Sequence, residues 1–216
     1  MLSACATVQP EELDPTAPAP SESSAVSAPT DIIIGAESTD IVDAGGDVLV
    51  TLKYSEDGDD AVAAAADILG EPTELHHQDA TNHYPEVDGT SWGGFDIVVN
   101  RYSAGLLPTG EARLYQPAFS VQATSAVTDA NVAITAADQT RVGDDFDVVV
   151  ENQPANRFHF DDAFGTRSVA VDLPTSFPGV IDDAGIEMVY GVIAHAVSDS
   201  STVAYIVAPA YLFSQS

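Results

Sequence analysis

Apolar and polar positions alternate along several stretches of the chain. Val48, Val50, Leu52 and Tyr54 fall on one face of an extended segment, with Asp47, Thr51 and Lys53 on the other. Phe119, Val121 and Ala123 alternate in the same way, and Phe95 to Val99 reads as a strand. Trp92 and Phe95 flank Gly93-Gly94, the signature of a two-residue hairpin. Near the end, the apolar runs 186–197 and 202–208 are joined by Ser198-Asp199-Ser200-Ser201, which predicts a long hairpin.

Two stretches break this rhythm. Val62, Ala65, Ala66 and Leu69 recur at helical spacing and make one apolar stripe. Gly70 suits a positive-φ stop, and Pro72 prevents continuation. A second, shorter stripe runs through Phe146, Val149 and Val150 and closes at Asn152 and Pro154. Each is preceded by Gly-Asp-Asp, at 58–60 and at 143–145. An aspartate there accepts from the free N–H groups of a first helical turn and suits its positive end.

Half-buried strands with short turns argue for antiparallel sheet, and two helices cannot cover both faces of a parallel one. The predicted fold is therefore α+β. It has two small units, 31–126 and 127–216, each a helix packed on an antiparallel sheet, after a disordered N-terminal tether.

Composition sharpens the tether. Pro, Ala, Ser and Thr fill 17 of the 25 places from 6 to 30, a stretch that buries little and stays extended. Just before it stands Leu2-Ser3-Ala4-Cys5, which holds the single cysteine of the chain. An apolar residue three places before a cysteine, with a small residue directly before it, resembles a bacterial lipobox. That resemblance implies cleavage before Cys5, lipidation of its sulfur and a lipid-anchored position on the extracytoplasmic face of the cell membrane. The basic and apolar regions of an export signal are not present ahead of it, where only Met1 precedes the motif. The expected division is 1–5 lipobox, 6–30 linker, then the two units.

Charge restricts partners. There are 34 acidic residues against 6 basic, a net charge of −28. Such a field repels nucleic acid and anionic surfaces and favours cationic partners. The chain requires no cofactor: it holds no phosphate-cradling loop and no paired cysteines.

Further segments carry a second resemblance. They are Ile32-Ile33-Ile34-Gly35-Ala36-Glu37, Leu69-Gly70-Glu71-Pro72, His83-Tyr84-Pro85, Trp92-Gly93-Gly94-Phe95 and Val142-Gly143-Asp144-Asp145. Set behind a lipobox and spacer, they resemble actinobacterial cell-surface lipoproteins of unknown function over most of the chain. A helix ending in Leu-Gly-Glu-Pro, followed by a loop and a Trp-bearing hairpin, is also distantly similar to the repeats of β-lactamase-inhibitor-protein and outer-membrane-assembly lipoproteins. That likeness implies helices packed on a sheet that binds other proteins, and it brings no catalytic residues.

Three constellations are candidates for chemistry. Gly89-Thr90-Ser91-Trp92-Gly93 fits the G-x-S-x-G elbow of serine hydrolases, with Ser91 as nucleophile and His159 or His195 as base. That motif needs a strand before it and a helix after it, whereas 84–88 reads as a poor strand and 94–99 as a strand. Glu74-Leu75-His76-His77-Gln78-Asp79 with His83 offers imidazole and carboxylate for a divalent metal. Neighbouring histidines on a strand point apart, so His77, Asp79 and His83 form the better set; a polar loop explains the same residues. Tyr84, Trp92 and Tyr102 are candidate ligand-binding aromatics, with packing as the alternative for each. The reading favoured is a non-catalytic, lipid-anchored envelope protein that binds an unknown protein or cell-wall ligand.

Overall fold

The computed structural model describes residues 27–81, 86–101, 117–154, 159–161, 165–173, 180–181, 187–197 and 200–213. The fold is mixed α and β, mostly sheet, with two sheets. In chain order the elements begin with β1 (Pro29–Ile34), β2 (Ser38–Asp43), β3 (Val48–Lys53) and α1 (Gly58–Leu69). Then come β4 (Glu74–Gln78), β5 (Glu86–Ser91), β6 (Phe95–Arg101), β7 (Phe119–Ala123), β8 (Ala133–Ala136) and α2 (Phe146–Asn152). The last are β9 (His159–Asp161), β10 (Thr166–Asp172), β11 (Val180–Ile181), β12 (Glu187–Val197) and β13 (Tyr205–Phe213).

The smaller sheet has the order β3-β2-β1-β8, with β1 and β8 parallel and the other pairs antiparallel. The larger runs β4-β5-β6-β7-β13-β12-β10-β9, all antiparallel, with β11 beside β12. Two ladders cross the position expected to divide the chain. Ile32 pairs with Ile134 in β8, and Val121 pairs with Ala208 in β13. The expected linker also ends earlier than residue 30, because Pro29 and Thr30 already belong to β1.

Local signals account for both helices. Asp57 caps α1, its carboxylate accepting from the N–H of Asp59 and Asp60. The Gly-Asp-Asp triplet therefore starts one residue inside this helix. In α2 the cap is Asp145, the last residue of its triplet, which accepts from Asp147 and Val148. Gly70 ends α1 at φ +87°, donating its N–H to Ala66 O at 2.9 Å. The hairpin expected at Gly93-Gly94 is present, with φ of +66° and +100° and Trp92 N–H on Phe95 O at 2.9 Å. Glycine takes such positive-φ positions in succession at no steric cost.

Among the described residues, the main apolar core lies between these elements, and a small second cluster gathers Ala170, Ile193, Leu173 and Ala210. Ile32, Ile34, Ile41 and Leu52 enter from the smaller sheet, and Phe95, Ile97, Phe119, Val121, Val169, Val192 and Ile206 from the larger. Ala61, Ala65, Phe146 and Val149 enter from the helices. Each large side chain fully buried there contributes about 1.5–3 kcal/mol. The alternation read at 48–54 holds at one end only: Leu52 and Tyr54 are buried, whereas Val48 is exposed.

Polar groups also fasten the sheets. The Tyr54 hydroxyl donates to Gly35 O at 2.9 Å and accepts from Thr39 Oγ1 at 2.8 Å. Its ring meets Phe119 edge-on, and Tyr54 O accepts from Ala118 N–H. Burial pushes the Tyr54 pKa well above the usual tyrosine value. From the far end of the larger sheet, Asp172 Oδ2 accepts the Ala36 N–H at 2.9 Å.

Helix α1 packs on β6 at Gly58, where an added Cβ would lie 2.6 Å from Val99 Cγ1. Gly58→Ala is therefore expected to destabilise by about 1–3 kcal/mol through overpacking. Urea unfolding of Gly58→Ala, Val99→Ala and the double variant checks this: the double should lose less than the sum.

Candidate functional site

The stretch Glu74–Gln78, weighed as a polar loop, is strand β4 at one end of the larger sheet, with all five residues exposed. Glu86–Ser91, read from its sequence as a poor strand, is β5 and lies between β4 and β6. Alternation along β4 sends its two histidines to opposite faces, and each builds a different site.

On one face His76 lies across from Gly89. A Cβ on Gly89 would fall 1.7 Å from His76 Nε2, so the ring occupies the space that this glycine leaves. Beside it opens a cleft of about 620 Å³, lined by Glu74, His76, Ser91, Asp96, Asp129 and the Gly93-Gly94 turn, among others. The Asp129 carboxylate sits against Gly93, and its N–H reaches Trp92 O at 3.3 Å. Thr73 anchors the start of β4: both its N–H and its hydroxyl donate to Ser91 O. The cleft thus presents three carboxylates, an imidazole and hydroxyls, and no lysine or arginine lines it.

On the other face His77 sits between two carboxylates. Its Nδ1 is 2.7 Å from Asp88 Oδ1 and its Nε2 is 3.2 Å from Asp79 Oδ1. Asp88 also accepts from Arg101 Nε at 2.8 Å, and Arg101 grips Asp59 of α1 with both terminal nitrogens, at 2.8 and 2.5 Å. The chain Asp79–His77–Asp88–Arg101–Asp59 ties the outermost strand to the helix. Neutral imidazole has one N–H and imidazolium has two, so only the cation donates to both carboxylates.

The titration shifts follow from this geometry. Asp88 first and Asp79 second raise the His77 pKa above the ordinary histidine value. His77 and then Arg101 hold Asp88 below the usual carboxylate range. Arg101 does the same to Asp59. The groups are solvent-accessible, so each pair contributes modestly.

The remaining expected residues fall as follows. His77 and Asp79 of the metal set are brought together, but with Asp88 and Arg101. His83 lies outside the described residues, and among those described no group of three or more His, Cys, Asp or Glu is placed to hold a metal. Trp92 is buried at 3% exposure, packs on Phe95 and donates Nε1–H to Gly70 O at 2.8 Å. It is a core residue that locks the hairpin to the end of α1. Cys5, Tyr84 and Tyr102 lie outside the described residues, as does the side chain of His159.

Ser91 ends β5, and the chain turns at once into β6, so 89–93 runs strand–turn–strand, not strand–turn–helix. Ser91 shares its cleft with His76. His195 belongs elsewhere: its Nδ1 is 2.8 Å from Ser168 Oγ, and its ring stacks on Tyr205 at 4.4 Å. Ser168 is 1% exposed and His195 half-buried, and the pair bridges β10 and β12 at residues that stand directly opposite each other. Neither the Ser168–His195 pair nor Asp88, Asp96 and Asp129 was singled out from the sequence. Cross-strand register joins them, and spacing along the chain does not encode it.

Among the described residues, no helix is long and apolar enough to cross a membrane. Comparison with family models, with curated proteins and with solved structures finds no match to this chain.

The His77 network gives a pH prediction with a definite sign. Stability from His77 is full below its unfolded pKa, about 6.5, and is lost as pH rises through its raised folded value. Stability from Asp88 and Asp59 is present above about 3.9 and is lost as pH falls through their depressed values. The network is therefore complete between roughly pH 4 and 6.5. An NMR titration should place the His77 midpoint above that of a free histidine, and Asp88→Asn should lower it.

Proposed function

We propose that the protein is a non-catalytic binding module of the cell envelope, held at the extracytoplasmic face of the membrane by a lipid on Cys5. It would bind an envelope protein or cell-wall ligand through the cleft beside β4. The observation that carries this reading is the cleft itself: about 620 Å³, lined by Glu74 and Asp96 on strands and by Asp129 on the turn that faces them. Groups on regular elements hold their geometry better than groups on loops, so Glu74 and Asp96 stand in place before a partner arrives. The strand–turn–strand course around Ser91 also favours binding over nucleophilic chemistry.

The scaffold reading retains two α+β units. Each helix starts at an aspartate cap, Asp57 or Asp145, and the strands after each keep chain order in the larger sheet. In that reading β4-β5-β6-β7 corresponds to β9-β10-β12-β13, and the units meet where β7 pairs with β13. Each sheet would then be a joint product of both units.

The test is chemical crosslinking in intact envelope, comparing the full chain with a variant carrying Glu74→Gln, Asp96→Asn and Asp129→Asn. The wild type should yield a discrete crosslinked partner that the variant loses, while Ser91→Ala retains it. Equal crosslinking by both would remove the cleft from the account. Detergent phase partitioning addresses the anchor separately: Cys5→Ser should move the protein from the detergent phase to the aqueous phase.

A further inference from the structure

Among the described residues, strand β4 is an open edge of the larger sheet. All five of its residues are exposed, Leu75 to 72%. Among the described residues its ladder partner is β5 alone. A strand in this position presents a row of backbone N–H and C=O groups on which another strand can be added.

The other sheet ends differ. Beside β8, Ala126 O accepts from the Ile134 N–H and Thr140 O from the Ala136 N–H, so that edge is covered. Strand β3 ends in Lys53, whose ammonium is bonded to Glu56, the kind of charge that guards an edge. Strand β9 is only three residues long.

Charge then selects the guest. The cleft bordered by β4 carries Glu74, Asp96 and Asp129 on the face where His76 lies. A second copy would bring another −28 against the first. Antiparallel self-pairing centred on His76 would also set imidazole against imidazole. A cationic strand meets neither obstacle.

We propose that β4 adds an extended, basic segment of another protein to the larger sheet, with lysines or arginines at alternate positions on the cleft face and one of them set beside Glu74. Side chains two residues apart stand on one face of a strand about 7 Å apart. Glu74, Ser91 and Asp96 form one row across the strands at the start of β4, so the guest's basic residue beside Glu74 faces the cleft, while those at every second position further on lie along β4 on the face of His76. The inference rests on the cleft being the binding site and specifies the chemistry of what enters it.

The experiment uses the full chain and a fluorescein-labelled ten-residue peptide of alternating lysine and valine. Two isomers carry N-methyl groups on one alternate set of backbone nitrogens or on the other. Methylating the set that faces β4 removes the ladder donors; methylating the other set leaves them. Fluorescence anisotropy should show the parent bound, one isomer about tenfold weaker and the other close to the parent. Hydrogen exchange at the amides of 75–78 should slow with the parent peptide. The variant with Glu74→Gln, Asp96→Asn and Asp129→Asn should bind more weakly and with a flatter salt dependence.

Equal binding by both isomers would overturn strand addition, leaving ionic attraction only. Absence of parent binding would overturn it as well. If the envelope crosslink still depends on the three carboxylates, that failure belongs to the guest chemistry and not to the cleft. Sedimentation as a dimer with protected 75–78 amides and no peptide would also overturn it, in favour of a second copy.

Discussion

The ladder between β7 and β13 is the constraint on which the rest of the molecule depends. It joins strands far apart in the sequence, Val121 with Ala208 and Ala123 with Ile206, and all four residues are fully buried. Through it the strands after α1 and the strands after α2 become one sheet, and one sheet can present one continuous apolar face. The smaller sheet and both helices then have a single surface to cover. Remove that pairing and Phe119, Val121, Ile206 and Ala208 lose shared cover, several side chains at about 1.5–3 kcal/mol each.

Rigidity in the middle of the sheet leaves its end free to be polar. At β4 no burial holds the strand; hydrogen bonds and charge do. His77 and Arg101 converge on Asp88, and Arg101 passes on to Asp59 at the start of α1. The clasp lies on the core side, and the cleft with His76 lies on the other. One five-residue strand thus separates what fastens it from what it offers to a partner. Gly89 makes the division sharp, since the His76 ring rests where any other side chain would stand.

What could be read from the sequence was what local chemistry writes. The α1 stripe, the Gly70 stop and the Gly93-Gly94 hairpin rest on residues a few places apart, and they appear where the spacing put them. The Gly-Asp-Asp triplets marked both helix starts but not the register of the caps, because Asp57 stands outside the first triplet. Strand β4 was illegible because Glu-Leu-His-His-Gln shows no buried face, and β5 because Asp88 and Gly89 are poor strand formers. Both are strands because each has a ladder partner. The site was half visible. The histidines and Ser91 stood out, but Asp88, Asp96 and Asp129 reach them only through cross-strand register. Trp92, read from the hairpin pattern as packing before binding, is in the core with its indole bonded to Gly70 O.

The parallel pairing of β1 with β8 bears on the order in which the molecule can be made. Ile32 waits for Ile134, about a hundred residues later, and Val121 waits for Ala208, more than eighty residues later. During synthesis, the early strands hold half a core and no surface to close it against. Folding of this kind is governed by distant contacts and is slow, so the core closes only once β13 has joined β7. A polypeptide that stays open until its last strands arrive keeps its sticky faces on show throughout that interval. A charge of −28 keeps neighbouring chains apart while it waits.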